Sequence, residues 1–260
     1  MNRTILFLVF FLYGSYVLHA KDIAIIDRTK PAAEKEAILI LPGFGSINHG
    51  VKNIRDYYSN RGYDLFIPDF ISRKSLEQCT RNIDGFINKY DLDAYKDIHV
   101  LCYIIGGWSF NLWLEDHKLP NLSHLVYDRS PIQERAPYAL VEDLPFLSYL
   151  FAGKTIKEFS QTPYIVNSTV EENRIGIIIE TVATKLMIKH RETAEKLGPI
   201  NWNVEGLMQA YGDYCYINLN HDDLYEQFDE AGEQILYFFK HGLFKSSANR
   251  IIPVTNLYIE

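Results

Sequence analysis

Apolar runs broken by glycine, proline and acidic residues divide this chain into short strands and longer helices. Ala37–Leu41 (Ala-Ile-Leu-Ile-Leu) and Ile98–Tyr103 are nearly unbroken apolar stretches, as expected of strands buried on both faces. Tyr63–Pro68, Leu122–Tyr127, Arg174–Glu180 and Tyr214–Leu219 have the same character, and Asp22–Asp27 reads as a short leading strand. Between them the pattern predicts helices over Val51–Arg61, over Ser75–Tyr90 behind a serine cap, and over Trp108–Asp116. Asp222–His241 is amphipathic through Leu224, Phe228, Ala231, Ile235 and Phe238. Strand and helix alternate from Ala37 to Tyr127. That order predicts an α/β fold, a doubly wound and mainly parallel sheet with Ile98–Tyr103 at its centre. Ligands of such a sheet bind outside the carboxyl ends of its strands.

Two stretches depart from the alternation. Tyr138–Gly153 is apolar and aromatic, with only Glu142 and Asp143 as charges. It reads either as a core helix bent at Pro145 or as the start of a short lid or cap spanning 138–170. Ile5–Leu18 is a fourteen-residue apolar run behind Arg3, short for a membrane span and suited to a signal peptide. Leu18 makes a poor cleavage site, so an uncleaved anchor is the rival. The expected organisation is a targeting segment over 1–20 and one domain over 21–260, exported and either secreted, periplasmic or lumenal. No membrane span is expected beyond the N-terminal segment. Asn121-Leu-Ser and Asn167-Ser-Thr are glycosylation sequons, a weak signal.

Composition narrows the function. With 260 residues and 47% hydrophobic content the chain can build a large single core. A net charge of −7 and the lack of any long basic run argue against nucleic-acid binding. Cys79, Cys102 and Cys215 are odd in number and lack metal-type spacing. Neither a metal nor another cofactor is expected.

Ile98-His-Val-Leu-Cys-Tyr-Ile-Ile-Gly-Gly-Trp108 runs from strand through a tight turn to helix. It resembles the nucleophile elbow of the α/β-hydrolase superfamily, where the pattern is Gly-x-Ser-x-Gly. Here that pattern becomes Cys102-Tyr103-Ile104-Ile105-Gly106, so the nucleophile position holds Ile104. Val204-Glu-Gly-Leu-Met208, Tyr237-Phe-Phe-Lys-His-Gly-Leu-Phe244 and Asp128-Arg-Ser-Pro extend the resemblance to small bacterial lipases and esterases, over about Ala37 to Phe244.

What the resemblance implies is a site lacking its nucleophile. His221 follows the last strand and stands where the family places its base; otherwise it caps the next helix. Glu205 is the candidate acid, with Asp213 and Asp128 as rivals. The backbone N–H groups of Phe44 and Ile105 would be the oxyanion donors. Gly43 and Gly45 read either as part of that turn or as positions needing positive φ. Ser130 is a rival nucleophile, while Ser109 and Cys102 are poorly placed. Asp128, Arg129, Glu134 and Arg135 crowd one loop, as a salt-bridge network or as an anion clamp. The expected function is an impaired esterase-like or lipase-like protein that binds an apolar or acyl small molecule or acts as a scaffold. The alternative is an active esterase, lipase or acyltransferase with an atypical nucleophile.

Overall fold

The computed structural model describes residues 22–44 and 48–252. The N-terminal targeting segment expected over 1–20 therefore lies outside the described residues, as does Gly45. Among the described residues, seven strands form one sheet: β1 (Ile23–Ile25), β2 (Glu36–Leu41), β3 (Asp64–Ile67), β4 (Asp97–Tyr103), β5 (Leu122–Arg129), β6 (Ile175–Glu180) and β7 (Asp213–Ile217). Their spatial order is β1-β3-β2-β4-β5-β6-β7. Only β1 runs antiparallel to its neighbour; every other pairing is parallel. The elbow strand β4 is the fourth of the seven, as its mostly apolar character predicts.

Helices cover both faces. They are α1 (Asn48–Tyr58), α2 (Leu76–Lys89), α3 (Ile104–Asp116), α4 (Ala136–Asp143), α5 (Pro145–Gln161), α6 (Lys185–Lys189), α7 (Arg191–Glu195) and α8 (Ala231–His241). Alternate strand residues feed two cores. Leu39, Val100, Cys102 and Tyr127 join α2 and α3 on one face. Ile38, Ile40, Leu101 and Val126 join α1 and α8 on the other. Such double burial explains why these strands carry unbroken apolar runs.

Ser75 begins α2 as the sequence implies, its side-chain oxygen accepting the N–H of Gln78 at 3.0 Å. Ser75→Ala should lower stability by about 1 kcal/mol, measured by urea denaturation with an unchanged m-value.

Three elements differ from the pattern-based reading. The elbow helix begins at Ile104, four residues before Trp108, because Gly106 and Gly107 lie inside its first turns. A Cβ on Gly106 would meet the Leu41 carbonyl oxygen at 2.3 Å, so glycine lets the helix press against β2. The continuous helix expected over Asp222–His241 is broken. Asn220 accepts the N–H groups of Asp222 and Asp223 and holds a separate 3-10 turn over Asp223–Tyr225, and α8 starts only at Ala231. The 138–153 stretch is two helices, α4 and α5, meeting at Leu144–Pro145. The kink in α5 falls at Gly153 (φ 67°), where a Cβ would lie 2.1 Å from the Arg73 carbonyl oxygen.

Both sequons are committed inside the fold. Asn121 Nδ2 donates to the carbonyls of Leu92 and Tyr95 at 2.9 and 2.7 Å. Asn167 is buried; its Oδ1 accepts from Thr169 and Val170, and its Nδ2 donates to the Tyr127 hydroxyl. Among the described residues, no helix is long and apolar enough to cross a membrane.

Candidate active site

The carboxyl ends of β4, β5 and β6, and the loop after β7, converge on His221. Because parallel strands end at one edge, their last residues become neighbours there. Asp128 lies near the end of β5, and Glu180 ends β6. Glu180 Oε1 lies 2.7 Å from His221 Nδ1, and Asp128 Oδ2 lies 3.3 Å from the same nitrogen. All three side chains are buried.

The acid beside His221 is thus not Glu205. Glu205 belongs to a 3-10 turn, Val204–Leu207, whose apolar residues pack on the face of β6 and β7. Its exposed carboxylate accepts from the Tyr211 hydroxyl at 3.4 Å. Asp213, the second candidate, starts β7 and so stands at the opposite edge of the sheet. There it pairs with Arg250 at 2.7 Å and accepts the N–H of Phe244. The third candidate, Asp128, is at the histidine. Glu180 was missed, although a lone charge closing the apolar run Ile-Gly-Ile-Ile-Ile-Glu was a usable sign.

Burial opposes charge on His221, but Glu180 and Asp128 outweigh it and hold the imidazolium well above the usual histidine range. Burial, then the charge of Asp128, pushes Glu180 up, with His221 pulling the other way. The cluster as a whole therefore binds protons more tightly than its groups would when separate. Its three ligand-type atoms lie within 4.8 Å of one another, a spacing that would suit a metal ion. The 2.7 Å contact is of hydrogen-bond length, however, so Nδ1 is already engaged by Glu180.

His221 Nε2 faces the turn after β2. A Cβ built on Gly43 would lie 3.1 Å from it and 2.8 Å from the Tyr225 hydroxyl, which accepts the Gly43 N–H. Gly43 does not have positive φ; close approach of these two side chains explains its lack of a side chain. Above lies a cavity of about 250 Å³ lined by Phe44, Ile104, Ile105, Phe151, Phe159 and His221, among others. Both expected oxyanion residues, Phe44 and Ile105, thus border it. Ile105 is in the first turn of α3, where backbone N–H groups have no partner within the helix, and no side chain caps that end.

Ile104 lies in this wall, 5% exposed and packed with Leu76, Trp108 and Phe159. It is the first residue of α3, and its φ is not positive. A β-branched side chain strongly disfavours positive φ, so isoleucine and a relaxed elbow go together. Ser130 is fully buried and accepts the N–H of Gln133 at 3.1 Å, closing the turn after β5. Ser109 is buried inside α3 and Cys102 inside the core.

The charged loop is a network. Arg129 forks onto Glu134, with Nη2 at 3.1 Å from Oε2, donates to the Leu207 carbonyl, and lies 3.9 Å from the Tyr164 ring centroid. Arg135 donates to the carbonyls of Ala194, Gly198 and Pro199.

No protein-family model and no curated protein matches the sequence. Solved structures do match in fold. Est1E from Butyrivibrio proteoclasticus aligns over 85% of this chain and 93% of its own, at 13% identity and a TM-score of 0.53. The Vlm2 thioesterase domain aligns over 87% and 100%, at 10% identity and a TM-score of 0.51. The esterase EaEST from Exiguobacterium antarcticum aligns over 84% and 95%, at 11% identity and a TM-score of 0.50. Seven mostly parallel strands in this order, helices on both faces and neighbours that are esterases and thioesterases together identify the chain as an α/β-hydrolase fold protein.

Proposed function

We propose that this chain is an esterase-like protein that has lost covalent catalysis and uses its site to bind an apolar acyl or carbonyl compound. One observation carries the reading: Ile104 packs into the cavity wall at the head of the elbow helix, where an attacking hydroxyl would have to stand. A methyl and an ethyl arm on Cβ offer no lone pair to a carbonyl, so no acyl-enzyme can form there. The remaining parts support binding. Phe44, Phe151 and Phe159 give apolar walls, and the start of α3 gives N–H groups suited to a carbonyl oxygen. His221, held protonated, turns an Nε2–H donor toward the turn after β2, which suits a ligand with a carbonyl end.

Wild-type protein should not react with a fluorophosphonate probe and should not turn over short p-nitrophenyl esters. Mass spectrometry of a solvent extract of the purified protein should recover an acyl compound. Ile104→Ser with Cys102→Gly restores a Gly-x-Ser-like sequence and should give slow probe labelling, more than Ile104→Ser alone. Turnover stays far below that of a natural esterase, because the relaxed elbow does not aim the hydroxyl and His221 is held protonated. Wild-type turnover abolished by Ser130→Ala would overturn the reading and show a displaced nucleophile.

A further inference from the structure

The first half of α5 presents an apolar face to solvent beside the cavity mouth. Phe146 is 75% exposed, Phe151 63% and Tyr149 57%, and Leu147 and Leu150 are exposed beside them. Soluble surfaces rarely gather five large apolar side chains on six successive residues. The helix is held in this attitude by the loop after β3. Arg73 Nη2 donates to the Leu150 carbonyl at 2.7 Å, the Lys154 N–H donates to the Arg73 carbonyl, and Glu158 accepts the N–H of Leu76.

Two further observations indicate what covers this face. Arg73, Lys74, Lys154 and Lys157 are exposed on the loop and the helix beside it and outnumber Glu142 and Asp143, exposed just before the helix, on a chain whose net charge is −7. The chain also enters the fold at this edge. Ile23 pairs with Ile67 at the carboxyl end of β3, and Asp22 accepts the N–H of Asp69. The apolar run Ile5–Leu18 ends four residues before Asp22, a reach of roughly 14 Å when extended. The described chain thus begins at the carboxyl edge of the sheet, the edge that bears the loop holding α5.

We infer that α5 docks on an anionic lipid bilayer, with Phe146, Leu147, Tyr149 and Leu150 in the acyl–headgroup boundary and the cavity mouth turned toward the lipid. The basic side chains then lie against the headgroups, where the anionic surface attracts them. Aromatic side chains with aliphatic neighbours suit that interface. This inference does not depend on the reading of Ile104.

The test uses the full chain and vesicles of phosphatidylcholine with phosphatidylglycerol. The three native cysteines are buried, so a cysteine introduced by Phe146→Cys, Leu150→Cys or Asp93→Cys can be labelled selectively with a polarity-sensitive fluorophore. Asp93 is exposed just before β4, at the opposite edge of the sheet. The probes at 146 and 150 should shift to the blue on vesicle addition and be quenched by a lipid-borne quencher, while the probe at 93 does neither. Replacing Arg73, Lys74, Lys154 and Lys157 by glutamine should weaken the shift at least tenfold in lipid concentration. Unchanged probes at 146 and 150 on vesicle-bound protein would show attachment through the N-terminal segment alone and sink the proposal. A blue shift without vesicles that grows with protein concentration would overturn it in favour of a second copy of the chain.

Discussion

Arg129→Met should destabilise the protein by about 3 kcal/mol, measured as a shift of the urea midpoint at constant m-value. The guanidinium is nearly fully buried, forked onto Glu134 and enclosed by Tyr164 and Trp108. Removing it strands a largely buried carboxylate and leaves the Leu207 carbonyl without this donor. Breaking one half of a buried pair typically costs about 3–5 kcal/mol, and Glu134 retains some access to water, which favours the lower end. Replacing both partners, Arg129→Met with Glu134→Leu, should recover most of the loss, because no charge is then left unpaired. Failure of the double variant to recover would show that packing of the guanidinium on Tyr164, rather than ion pairing, is what the fold requires. The effect extends to the site, since Arg129 is the residue after Asp128 and fixes the end of β5.

Stability should also fall as pH rises from 7 to 8. The signs follow from the cluster at the site. His221 is held well above its usual range by Glu180 and Asp128 against the effect of burial, and Glu180 is raised by burial and by Asp128. A group with a raised folded-state pKa binds its proton more tightly in the folded chain. Its contribution is complete below the unfolded pKa and disappears as pH rises through the folded one. Each proton held by the folded chain alone adds a slope of about −1.4 kcal/mol per pH unit. His221 and Glu180 share one charge balance, since the Glu180 carboxylate is part of what raises His221, so the pair is counted as one extra proton rather than two. His99 and His124 are lowered by burial and act with opposite sign, but they matter only below about pH 6.5. Urea denaturation at several pH values should show the decline in wild type and a clearly weaker one in Glu180→Gln, which removes both the Glu180 carboxyl and part of what raises His221. A flat profile between pH 7 and 8 would mean that the cluster holds no extra protons.

Much of this architecture is legible in the sequence because its strands are buried on both faces. Ile98–Tyr103 carries almost no polar residue, and such a run has few places to go except the centre of a covered sheet. His221 is legible from position alone, as the histidine in the loop after the last strand. Of its two acids, Asp128 is legible as a rival candidate at the end of its strand, and Glu180 is not. Glu205 lies in a segment that resembles a motif, and a motif does not say at which end of the sheet it will fall. Glu180 closes a strand, and the direction of parallel strands is what carries its carboxylate to the histidine. The break before α8 was hidden for another reason. Leu224 and Phe228 keep helical spacing with Ala231 and Ile235, yet they reach the same core from a separate turn held by Asn220. The start of α3 at Ile104 was hidden by paired glycines, which local propensity reads as helix-breaking and which packing against β2 requires.

The committed side chain of Asn167 has a consequence for biosynthesis. Its Nδ2 is the atom that would carry an N-linked glycan, and in the folded chain it is buried against the Tyr127 hydroxyl. A saccharyltransferase can therefore reach it only before β5 and the 167–170 turn have come together. In a glycosylating host, the fraction of chains modified at Asn167 becomes a clock. It records how long newly made protein waits before this part of the fold closes, and chains that carry the sugar are those in which it closed too late.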